Sequence, residues 1–166
     1  MKFTQNDFNE IPLLARVEKR IDTIDSTNVN SILDDIYKKQ PFLLSVLLGY
    51  NLDITPIELE ELMKVYFLIW EYFKDNQNVQ NRKVTEQLFE KIHNRNIGML
   101  RYAEGESTDQ SAILYSSDLQ NLRSKALLTA ILLRFNNRPD LVSMDMKTKG
   151  MILIGIKTFI ECFEIV

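Results

Sequence analysis

The chain has 166 residues, 45% of them hydrophobic and 26% charged, with a formal net charge of −3, which is the size and makeup of a single domain spanning 1–166 with its own core. Five glycines and four prolines are too few to turn an all-β fold. The lack of a basic excess or basic stripe argues against nucleic acid as a partner, and the lone Cys162 excludes both an intramolecular disulfide and a multi-cysteine zinc site.

In chain order, a first helix is expected from near Asn9, with Pro12 in its first turn and Leu13, Leu14, Val17, Ile21 and Ile24 at helical spacing. Asp25, Ser26, Thr27 and Asn28 make a turn rich in capping residues, and a second helix follows from about Val29 to Lys39. Pro41 ends it, because the proline ring pushes Gln40 out of helical geometry. The next stretch, Pro41 to Tyr50, reads PFLLSVLLGY and carries no charge. A soluble helix with no wet side belongs in the middle of a bundle or at a subunit interface.

Thr55-Pro56-Ile57-Glu58 is the clearest helix start: a capping threonine, a proline at the first helical position and an acid where a capping box needs one. The helix it opens runs to about Lys74, with Leu59, Leu62, Met63, Tyr66, Ile69, Trp70 and Phe73 on its apolar arc. A narrow stripe of Glu60, Lys64, Glu71 and Lys74 is expected to face water. Phe67 lies on that stripe and is therefore read as an exposed interface residue.

Residues 75–83 and 104–117, rich in polar and turn-forming residues, are expected as flexible connectors, the second with an extended patch at Ala112 to Tyr115. Between them a helix opens at Thr85 and Glu86 and carries Leu88, Phe89, Ile92, Met99, Leu100 and Ala103. Ser117 or Asp118 caps the next helix, which turns Leu119, Leu122, Ala126, Leu127, Ala130, Ile131 and Leu133 inward and stops at Asn136 to Pro139. A last helix runs from about Met144 to Glu164. The sum is an all-α chain, expected as a compact bundle of about six to seven helices; a solenoid-like stack of helical hairpins is disfavoured because no residue pattern recurs.

Few residues suggest chemistry. Glu90 and His93 have the Glu-x-x-His spacing of di-iron bundles, but that site needs a second such motif and His93 is the only histidine. Cys162 falls near a helix C-terminus beside Glu161 and Glu164, where acids and helix dipole disfavour a thiolate, so it reads as a small packing residue. Gly150 and Gly155 lie in an apolar helix and suit close helix packing, not a phosphate loop. Asn96 breaks its pattern: it sits on the stripe of Phe89, Ile92, Leu100 and Ala103 and is read as a polar contact in a cleft between helices.

No catalytic, cofactor-binding or metal-ligating residue is singled out. The surplus of apolar helix surface points to a non-catalytic interaction or structural module that self-associates, as a homodimer or with a protein partner. The competing reading is a small-ligand-binding protein or enzyme whose inter-helix pocket uses carboxylates, Tyr66, Tyr72, Arg95 or Arg101. The polar stretch from Met1 to Glu10 lacks the core of a signal peptide and no uncharged apolar run could span a bilayer, so no membrane association and a cytoplasmic location are expected. The Asn- and Lys-rich loops suggest a bacterial source of low GC content.

Overall fold

The structure, a computed structural model, describes residues 2–166; Met1, the first residue of the polar opening segment, lies outside them. Every regular element among the described residues is helical: α1 (Gln5–Asp22), α2 (Ser26–Lys39), α3 (Pro41–Gly49) followed by a 3-10 turn (Tyr50–Leu52), α4 (Pro56–Phe73), α5 (Gln77–Asn81), α6 (Glu86–Glu104), α7 (Thr108–Gln120), α8 (Lys125–Asn137), α9 (Pro139–Val142) and α10 (Met146–Ile165). None of these helices is long and apolar enough to cross a membrane.

Local chemistry sets most boundaries. Thr55 and Glu58 form the capping box that opens α4: Glu58 N–H donates to Thr55 Oγ1 at 3.3 Å, and Thr55 N–H donates to Glu58 Oε2 at 2.7 Å. A second box, Thr4 with Asp7, starts α1 at Gln5, four residues before Asn9. Pro12 therefore sits inside the helix rather than in its first turn, on an exposed side where its missing N–H is tolerated.

The core is organised around α4, which packs against α1, α3, α8 and α9, while α10 lies along α6. From Val65 to Trp70 every residue of α4 is buried. Phe67 is 0% exposed, so it is not a surface interface residue. The charges of its stripe are absorbed locally: Glu60 and Glu61 pair with Lys64, and Lys74 and Arg20 of α1 pair with Glu71. Phe67 borders a hollow at the α1–α2 corner that Ile24 and Val29 also line.

α3 is not the middle of the molecule. Only Leu43 and Leu47 are buried, and Leu48 is 62% exposed. A chargeless helix is one that tolerates burial, and here the longer, aromatic α4 takes the central place. What α3 contributes is Phe42, which packs edge-on against Phe89 of α6 at 5.5 Å and close to Phe159 of α10 at 6.0 Å.

Residues 104–117, expected as a loop with an extended patch, form most of α7 instead. That helix buries no residue completely, so its apolar periodicity is too weak to announce it. Leu119 belongs to α7, and α8 begins only at Lys125. The 75–83 connector contains α5 and is tied to the start of α3 by buried Gln40. Its Nε2 donates to the carbonyls of Val79 at 2.6 Å and Arg82 at 2.7 Å, and its Oε1 accepts from Val84 N–H at 2.9 Å.

Two further junctions lock the helices together. Arg134 of α8, 4% exposed, donates from Nη2 to Asp22 Oδ1 of α1 at 2.7 Å and to Glu61 Oε2 of α4 at 2.9 Å. At the other junction Gly155 of α10 lets the Tyr50 hydroxyl approach so closely that a Cβ there would fall well inside van der Waals contact of Tyr50 Oη. Gly155→Ala is therefore expected to cost about 1–3 kcal/mol by overpacking. In a Tyr50→Phe background the nearest ring atom, Cζ, lies at an ordinary 3.7 Å. There the same substitution should be neutral, or stabilise by about 0.5–1 kcal/mol through helix propensity. A double-mutant cycle by urea denaturation tests this, and equal costs in both backgrounds would contradict it.

Candidate functional site

Asn96 is brought from α6 against Thr158 and Glu161 of α10, and it is 2% exposed. Its Nδ2 donates to Thr158 Oγ1 at 3.1 Å and Glu161 Oε2 at 2.7 Å, while its Oδ1 accepts from Arg95 Nη2 at 3.1 Å and Lys157 Nζ at 3.0 Å. Two donors and two lone pairs are all an amide side chain has, so Asn96 is saturated. Lys157 is equally committed: its ammonium also meets Glu161 Oε1 at 2.8 Å and Asp118 Oδ2 of α7 at 2.9 Å. Arg95 closes the cluster on Glu161 at 2.6 Å.

This polar cluster forms one end of a cleft of about 230 Å³, open to solvent, between α6, α7, α8 and α10. The rest of the wall is apolar: Met99 and Leu100, Tyr115 and Leu119, Leu128 and Leu132, Leu153 and Ile154. Asn96 is part of the lining of this cleft, with its own hydrogen bonds already used.

A second feature is a groove of about 300 Å³ between α1 and α8. Its floor includes the small residues Ala15, Ala126 and Ala130, and its rim carries Phe3, Phe8, Ile11 and Leu133. Phe8 and Leu133 are each 54% exposed and Ile11 47%, so large apolar side chains stand in water beside a shallow trough.

Comparison with protein-family models, curated proteins and solved structures finds no match to this chain.

The residues with chemical potential do not converge. His93 stacks on Phe89, with ring centroids 5.4 Å apart, and burial lowers its pKa. Its Nδ1 lies 3.4 Å from Thr158 Oγ1, on the edge of the Asn96 cluster. The Cys162 thiol is pushed up to about 12 by burial and by the nearby Glu161 charge, which leaves it an unreactive packing group at neutral pH. Tyr72 donates to Glu10 Oε2 at 2.7 Å, on the α1 side of α4. Tyr66 is wholly buried, which holds its hydroxyl pKa well above the usual tyrosine range, with the nearby Tyr50 hydroxyl adding a smaller push in the same direction. Arg101 is exposed. Among the described residues no group of three His, Cys, Asp or Glu side chains gathers to hold a metal ion.

Sequence reading passed over Thr158, Lys157 and Asp118. Thr158 had a usable signal: like Asn96 it is a polar residue on an otherwise apolar face of its helix. Two such exceptions on different helices are expected to satisfy one another.

Proposed function

We propose that this chain is a non-catalytic protein-interaction module that pairs with a second copy of itself through the α1/α8 face. The observation carrying this reading is the rim of Phe3, Phe8, Ile11 and Leu133 beside the alanine floor. A two-fold interface is self-complementary: the same patch must supply both the ridge and the trough. Phe8 and Ile11 supply a ridge one turn of α1 apart, and Ala15, Ala126 and Ala130 supply a trough into which a copy's ridge can descend.

Size sets the expected strength. α1 has 18 residues and α8 has 13. Side by side they offer a face of roughly 500 Å², below the ~800 Å² per partner of a standard interface. Pairing is accordingly micromolar rather than obligate. The scaffold in this reading is one bundle gathered around α4, a single domain acting in the cytoplasm of a bacterial cell, away from membranes and nucleic acid.

Sedimentation velocity over a concentration series tests it, with a monomer–dimer equilibrium expected in the ~1–100 µM range. Phe8→Asp and Leu133→Asp should each weaken pairing by at least about tenfold while leaving the thermal midpoint within a few degrees, since both side chains are already exposed. A protein that stays monomeric beyond about 300 µM, or variants that pair as the parent does, would overturn the reading.

A further inference from the structure

We infer that the cavity between α6, α7, α8 and α10 is a binding site for a small uncharged apolar molecule carrying one hydroxyl group. This goes beyond the self-association reading and uses a different face of the molecule.

Shape comes first. The space is a cleft of about 230 Å³, open to solvent on one side, with the concave and mostly apolar wall that small-molecule sites share. Water is a poor filler, because each molecule needs two to four polar partners and the wall is almost wholly hydrocarbon: Met99, Leu100, Leu119, Leu128, Leu132 and Leu153. An apolar guest of about eight to ten heavy atoms fits the volume and gains the burial free energy that water cannot.

The polar end selects the head group. An anionic head would lie against the Asp118 carboxylate with no cation to pair it, because all three Lys157 donors are taken and Asn96 is saturated. A cationic head would have to sit beside the Lys157 ammonium. The Asp118 carboxylate takes only Lys157, on Oδ2, and has acceptor capacity left, and the Tyr115 hydroxyl on the same wall is likewise uncommitted. A carboxylate oxygen can accept a further neutral O–H, so the arrangement favours an alcohol over an acid or an amine.

The cleft is open to solvent, so a guest enters without displacing α7, which supplies one wall through Tyr115, Asp118 and Leu119.

The test is a methyl- and amide-resolved NMR titration of the full chain with 1-octanol, and separately with octanoate. Fast-exchange shifts are expected on Leu119, Leu128 and Leu153, with octanoate binding at least about tenfold more weakly because its carboxylate would lie unpaired against Asp118. Leu153→Phe fills the space and should abolish these shifts while keeping the fold; if it unfolds, Leu132→Phe serves the same purpose. Asp118→Asn should narrow the preference for alcohol over acid. The inference is overturned by silence of these methyls at octanol saturation, by octanoate binding as well as octanol, or by shifts confined to Ala126 and Ala130. The last outcome would place the alcohol in the α1/α8 groove and leave the pairing reading untouched.

Discussion

Arg134→Met is expected to lower stability by about 2–4 kcal/mol, because it keeps the bulk of the side chain and removes the cation between two carboxylates. Asp22 and Glu61 then lose their shared partner at the junction of α1, α4 and α8. The loss stays below the upper end for a fully buried pair, since Arg138 still reaches Asp22 and Lys64 still reaches Glu61. Acid should shrink the difference. Burial alone would raise the Glu61 pKa, but the Lys64 hydrogen bond and the Arg134 and Lys64 charges outweigh it and hold it below its ordinary 4.5. A depressed carboxylate stabilises the fold above its unfolded value, and this contribution is lost as pH falls through the folded one. Glu18 acts in the opposite sense: burial raises its pKa, so acid relieves its cost of folding. Urea denaturation of parent and variant at about pH 7 and about pH 3 is the measurement. A loss under about 1 kcal/mol, or one unchanged by acid, would show that the arginine merely fills space.

Gln40→Leu should cost about 2–4 kcal/mol, of the order expected when two buried backbone groups and one partly buried carbonyl lose their partner. Leucine matches the bulk, so the loss isolates the hydrogen bonds to Val79, Arg82 and Val84. Its distinguishing readout is local: amide hydrogen exchange across residues 77–84 should accelerate beyond the global change, because one side chain secures the whole connector to α3. Uniform acceleration over the molecule would contradict that picture.

These two positions show where sequence reading stops. The helical class, the α4 start and the Asn96 anomaly were legible because each is written within a few residues: a capping box, a 3.6-residue period, one polar side chain on an apolar stripe. Gln40 and Arg134 carry no such mark. The partners of Gln40 lie 39 to 44 residues downstream, and those of Arg134 lie 73 and 112 residues away on two other helices. Phe67 misled for the same reason: its stripe was polar in the local pattern, but Arg20 of α1 reaches Glu71 and the ring is wholly buried in the folded chain. α7 escaped because a helix resting half-buried on a neighbour needs no strong amphipathic period. The cavity was illegible in principle, since an empty volume is a property of four helices and of none of their sequences.

The last turn of α10 carries a consequence of its own. α8 has no capping side chain of its own at Ser124. Instead the N–H groups of Arg123, just before the helix, and of its N-cap residue Ser124 donate to Glu164 Oε1 at 3.0 and 2.7 Å. The final turn of a helix ordinarily frays at little cost. Here fraying would strip the cap from another helix, the one that delivers Arg134 to α1 and α4. The end of α10 is thereby wired into the cooperative unit, and its opening should report on the whole molecule rather than on itself.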